Sequence, residues 1–229
     1  MKYITELYNK HEGRAIWIAG AGPSLDAFPD VFMDGKLAIV LHNAYLKFPN
    51  AQYCHANELD RVQWFKENRP EYLDKTCTFA WPFYGRTQKQ TEAVIDPERD
   101  NYYFFILRPH GSRYKDPDWI ERKIGQIRTG KVIDFGGYNT CLHACMYVCI
   151  LMGCNPINII GCEHKAEPGK DEYFKAAQEA SKDLFKRNHV KLGPRQEAGT
   201  LALIEACKRQ AIRVNRFSNY EDSLHFAAS

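Results

Sequence analysis

"AIWIAGAGPSLDAFP", residues 15–29, is the stretch on which the fold turns. The apolar run Ala15–Ala19 passes directly into Gly20-Ala21-Gly22-Pro23-Ser24-Leu25. A continuous rather than alternating apolar run is expected of a strand buried on both faces, as in a parallel sheet. Ligands of such sheets sit at the carboxyl ends of the strands, which is where Gly20 and Gly22 fall. Lacking a Cβ, the glycines let the backbone turn sharply and come close to a ligand. Ser24 reads as the N-cap of a following helical turn, so the loop could offer N–H groups and a helix N-terminus to a phosphate. A tight turn that holds nothing is the competing reading.

The loop also departs from familiar patterns. Pro23 removes one donor. Leu25 stands where the dinucleotide fingerprint has its third glycine, and the second strand ends in His42 and Asn43 instead of an acidic residue for a ribose. NAD and FAD are therefore disfavoured, and no Walker pattern is present.

Further runs alternate with this one. Leu37–Leu41, Gln52–His55, Thr76–Trp81, Tyr103–Leu107, Ile157–Ile160 and Ile212–Asn215 read as strands, while Arg61–Glu67, Asn139–Met152, Asp171–Arg187 and Glu197–Arg209 read as helices. Such alternation predicts an α/β fold with a mostly parallel sheet. Residues 82–135 are rich in Tyr, Pro, Arg, Asp and Gly and read as a loop-rich lid or insertion on a single domain spanning 1–229.

The chain has 229 residues, 45% of them hydrophobic, enough for one sizeable core. Its net charge of +3 is too small to imply non-specific nucleic-acid binding. No apolar run reaches membrane-spanning length, and the polar start "MKYITELYNKHEGR" lacks a signal-peptide core, so a cytoplasmic location is expected. The eight cysteines are then expected to be reduced and mostly buried. Cys141, Cys145 and Cys149 recur every four residues, as on one helix face, and match no zinc, iron–sulfur or redox spacing.

A second constellation lies at "DFGGYNTCLHACMYVCILMGCNPINIIGCEHK", residues 134–165. Gly136 and Gly137 open a helix near Asn139 and Thr140, giving another glycine-lined helix start. Glu163 and His164 fall just past a buried strand, where α/β enzymes place catalytic groups. Simple capping by Asn139 and Thr140, and a solvated loop at Glu163 and His164, are the plainer alternatives.

Together, "GAGPSLD", "GGYNT" and "MGCNPINIIGCE" resemble the motility-accessory-factor and 6-hydroxymethylpterin diphosphokinase-like family of Rossmann-type proteins. They also resemble the related CMP-sialic-acid-dependent bacterial sialyltransferases. The resemblance covers residues 15–57 and 134–226 and implies a Rossmann-like three-layer sandwich. It further implies that Gly20, Ala21, Gly22, Pro23 and Ser24 cradle a donor's phosphates. By the same token Asn43 and Asn57 lie near donor and acceptor, and Gly137, Asn139, Thr140, Glu163 and His164 contribute to the nucleotide site. Ala21 replaces the asparagine common in the sialyltransferases, and Glu163 replaces the usual aspartate. His189 falls about where those enzymes keep a histidine general base, a role that suits a neutral imidazole. A surface histidine is the plainer alternative.

Either relative must neutralise charge growing on a phosphate. Arg108, Arg113 and Tyr114, in "RPHGSRYK", could do so from the lid, as could Arg86. Three readings follow. The first is a glycosyltransferase that takes a nucleotide-sugar donor, a cytidine nucleotide by resemblance, with no metal required and an acceptor that is a small molecule or glycan. The second is an ATP- and Mg²⁺-dependent diphosphokinase-like transferase, in which Glu163 and Asp134 help place the metal. The third is a non-catalytic nucleotide-binding module. The relatives often assemble as oligomers, so a homo-oligomer is also expected.

Overall fold

The computed structural model describes residues 1–83, 86–107, 111–135, 140–163 and 189–227, without the side chains of 111–112, 189–193 and 225–227. Eight strands form one parallel sheet: β1 (Lys2–Tyr3), β2 (Ile16–Ala19), β3 (Ala38–Leu41), β4 (Tyr53–Ala56), β5 (Thr76–Ala80), β6 (Tyr102–Phe105), β7 (Ile157–Ile160) and β8 (Val214–Phe217). Their order is β1-β6-β5-β4-β3-β2-β7-β8. From β2 the chain therefore steps outward through β3, β4, β5 and β6, then returns to lay β7 and β8 on the other side of β2.

The described helices are α1 (Leu59–Asn68), α2 (Gln88–Glu92), α3 (Pro117–Ile127), α4 (Cys141–Leu151), α5 (His189–Arg209) and α6 (Tyr220–Ala227). Side chains alternate across a strand with a period of two, and the strands divide accordingly. Ile16, Ile18, Ile39 and Leu41 join one apolar cluster with residues of α3, α4 and α5. Trp17, Ala19, Ala38 and Val40 join a second cluster on the opposite face with Phe28, Phe65 and Tyr72. The result is a three-layer α/β sandwich of Rossmann-like type. Helix α4 is buried from Leu142 to Leu151, as its uniformly apolar sequence requires.

Residues 82–135, expected as a lid, contribute substantially to the layers. Tyr102–Phe105 is β6, paired with β5 and β1 within the sheet. Helix α3 begins at Pro117 behind Asp116, whose carboxylate accepts from the N–H groups of Asp118 and Trp119 at 3.0 and 3.1 Å. Its Ile120, Ile124 and Ile127 enter the first cluster. The expected strand Ile212–Asn215 lies two residues later, because α5 ends in a left-handed Ala211 (φ 56°) and the Ile212 N–H closes back onto the Cys207 carbonyl at 2.9 Å. The expected helix Asp171–Arg187 lies outside the described residues.

All eight cysteines are described; six are buried and none is bonded to another. No described helix is long and apolar enough to cross a membrane.

Candidate functional site

The strand order reverses at β2, whose neighbours β3 and β7 are reached in opposite directions. A parallel sheet opens a crevice at the carboxyl ends of such strands. Two loops meet there, residues 20–24 after β2 and residues 161–163 after β7. Their approach is close enough to exclude side chains. A Cβ on Gly22 would lie 2.8 Å from the Gly161 carbonyl oxygen and would collide with the Glu163 carboxylate. One on Gly20 would strike Gly161 and Cys162, and one on Gly161, whose φ is +62°, would lie 2.5 Å from the Gly20 oxygen.

This packing changes the expected use of the loop. The N–H groups of Gly20 and Gly22 donate to the carbonyls of Ile160 and Gly161, at 2.9 and 2.7 Å, and so are not directed to a ligand. Ser24 is not an N-cap. It sits inside a short 3-10 turn, Pro23–Ala27, and donates its hydroxyl hydrogen bond to Glu163 across the crevice. The turn is too short to add an appreciable helix dipole. Among the described residues, no partner takes the N–H groups of Ala21 and Ser24. The second carboxylate oxygen of Glu163 is buried and likewise unpartnered there. Two amide N–H groups and one carboxylate oxygen of the meeting loops are thus without a partner among the described residues.

A cavity of about 320 Å³ continues from Glu163 along the ends of β7 and β8, lined also by Cys162, Glu197, Arg216, Phe217 and Ser218. Arg216 is gripped by Glu197 through two hydrogen bonds of 2.8 and 3.1 Å and also reaches the Cys162 carbonyl at 3.3 Å. Burial, reinforced by the Glu163 carboxylate, pushes the Cys162 thiol up to about 12, so it stays protonated. The Arg216–Glu197 pair is a functional-site feature that sequence reading missed. Its members are 19 positions apart, Glu197 on α5 and Arg216 on β8, and meet only where that helix returns alongside the strand.

The other expected site residues divide into three groups. Asn43 and Asn57 stand at the ends of β3 and β4 and are 1% and 4% exposed. Thr140 caps α4, its hydroxyl accepting from the His143 N–H at 3.3 Å. Tyr114 does not stand over the crevice as an open lid residue. It is buried under α5, with Arg195 over its ring at 4.9 Å, and Gly199 leaves the space that its ring and His143 occupy. Arg113 is exposed beside it. Arg86 is held by Asp60 through two contacts of 2.7 and 2.9 Å. His189 is the first residue of α5, but its side chain lies outside the description. Arg108, Gly137, Asn139 and His164 also lie outside the described residues.

No protein-family model and no curated protein matches the chain. Among solved structures, it is similar in fold to a mammalian sialyltransferase, with a TM-score of 0.50 and 11% sequence identity over 91% of this chain and 70% of that one. The sheet and its flanking helices thus form a glycosyltransferase-like, Rossmann-like fold.

Proposed function

We propose that the chain is a nucleotide-dependent transferase of glycosyltransferase type, taking a nucleotide-sugar donor at the β2/β7 crevice and passing the sugar to a small-molecule or glycan acceptor. One observation supports this most: the reversal of strand order at β2 brings the Gly20–Ser24 and Gly161–Glu163 loops together, in a sheet whose fold is similar to that of a sialyltransferase. The donor's phosphate would meet the Ala21 and Ser24 N–H groups. Ser24 keeps the Glu163 carboxylate turned to its own loop, which limits repulsion of the phosphate. By resemblance the donor nucleotide is a cytidine nucleotide, and His189 is the base that deprotonates the acceptor hydroxyl.

The metal-dependent diphosphokinase reading receives less support. Among the described residues no three His, Cys, Asp or Glu side chains converge as metal ligands.

Calorimetry with CMP, CDP, UDP, ATP and GTP, each with and without Mg²⁺, tests the proposal. Metal-independent binding of a cytidine nucleotide, weakened at least tenfold in Ser24→Pro, is the expected result. Mg²⁺-dependent binding of ATP alone would replace this reading with the diphosphokinase one. Absence of all nucleotide binding at millimolar concentration would remove both.

A further inference from the structure

Beside the crevice, α4 begins with a pair of side chains that nucleotide binding leaves unused. Cys141 is the first residue of α4, immediately after its cap Thr140. Its Sγ lies 2.8 Å from Nε2 of His42. His42 opens the turn after β3 with a φ of 45°, a left-handed conformation uncommon outside glycine although histidine adopts it more readily than most side chains. The fold therefore holds this imidazole against the sulfur at a cost in backbone strain, and such strain concentrates at working sites.

Two influences favour the thiolate. The positive end of an eleven-residue helix faces the sulfur, and the imidazole is in place to take the proton. Both residues are half-buried and neither is wholly closed off from solvent, which leaves an approach for a small reagent. Of the other seven cysteines six are buried, and Cys162 is kept protonated by burial.

The described groups around the pair compete little with His42 for a proton. Near it stands His55, wholly buried, with Nδ1 on the Thr78 hydroxyl at 2.8 Å, its ring stacked on Phe105, and Nε2 without a partner among the described residues. Burial, with His42 nearby, holds the His55 pKa down at about 3. The Asn57 amide flanks His55 and favours its protonation slightly, yet makes no well-formed hydrogen bond among the described residues. Tyr72 and Cys145, the other described titratable groups that feel the Cys141 charge, are both kept neutral by burial. Among these described groups, His42 is the basic side chain in direct contact with the sulfur.

We propose that Cys141 and His42 form a thiolate–imidazolium pair and that Cys141 is a modification site for small hydroperoxides. The sulfur attacks one peroxide oxygen, forming an S–O bond as the O–O bond breaks. Sulfur is oxidised by two electrons to the sulfenic acid and the peroxide is reduced. The departing oxygen leaves as water or an alcohol, taking the proton held by His42. Neither residue enters the nucleotide reading above, so the two proposals stand or fall separately.

The test is hydrogen peroxide applied to the full folded chain, with sulfenic acid trapped by dimedone and located by peptide mass mapping. Cys141 should be trapped at least about tenfold faster than any other cysteine, and His42→Gln should slow it about tenfold or more. The wild-type rate should stay flat on lowering the pH from 8.5 to 7, where an unperturbed thiol of pKa about 8.5 loses most of its thiolate. A rate that falls across this interval, or one unchanged in folded His42→Gln, overturns the proposal. If His42→Gln does not fold, the wild-type pH profile and loss of the signal in Cys141→Ser decide.

Discussion

Ser24 and Glu163 are joined by a hydrogen bond across the β2/β7 crevice, although 139 positions separate them in the chain. The bond fastens two loops whose backbones already exchange contacts through Gly20, Gly22 and Gly161. Loss of the hydroxyl in Ser24→Ala should cost about 1 kcal/mol, the ordinary net worth of a hydrogen bond. Urea unfolding would measure it, and a stabilised variant would show that the two groups are not bonded in solution.

Gly22→Ala should be more harmful. Its Cβ would meet a backbone carbonyl as well as the Glu163 side chain, and the carbonyl cannot step aside cheaply. A loss of about 1–3 kcal/mol is expected from forced overpacking. An unchanged unfolding midpoint would show that the two loops do not pack this closely.

Two helical glycines should respond in opposite senses. Gly199 in α5 faces His143 and Tyr114, so that a Cβ there would sit 2.7 Å from one ring and 2.9 Å from the other. Gly199→Ala should destabilise by about 1–3 kcal/mol. Gly125 in α3 has nothing within 4 Å of its would-be Cβ. Gly125→Ala should stabilise by about 0.5–1 kcal/mol through helix propensity. A Gly199→Ala melting midpoint at or above that of the wild type would contradict the packing of α5 on α4.

His55 should leave a mark on acid stability. Its pKa lies near 3 in the folded chain, against 6.5 for an unperturbed histidine. Between these values the unfolded chain binds the extra proton and the folded one does not. Stability therefore rises with pH through this window and is lost as pH falls, by about 1.4 kcal/mol per unit from this residue. His55→Gln should flatten the slope of stability between pH 6 and 4 by about that amount. A histidine NMR signal for residue 55 that titrates near 6.5 in the native protein would refute it.

Much of this arrangement was legible in the chain because burial writes itself into composition. The apolar runs at 15–19, 37–41 and 157–160 could hardly be anything but buried strands, and the glycines after two of them marked the crevice. What escaped notice is equally physical. β1 has two residues, Lys2 and Tyr3, too few to show a period. The helix expected over Glu197–Arg209 starts earlier, at His189, and α5 runs through Gly193-Pro194. The glycines were expected to make room for a ligand, whereas Gly20 and Gly22 first make room for Gly161 and Glu163. The pairs His42–Cys141 and Glu197–Arg216 depend on tertiary placement, for which a single sequence carries no periodic signal.

The β2–β7 junction also bears on how the chain comes together. The first five strands after β1 are laid side by side in order, but β2 keeps one bare edge until residues 157–160 arrive. Closing so distant a pairing is entropically slow, and it belongs to the later stages of assembly. The crevice is therefore absent from every partly assembled form that lacks β7. Any ligand held there would bind the finished molecule alone and would draw the folding equilibrium toward completion.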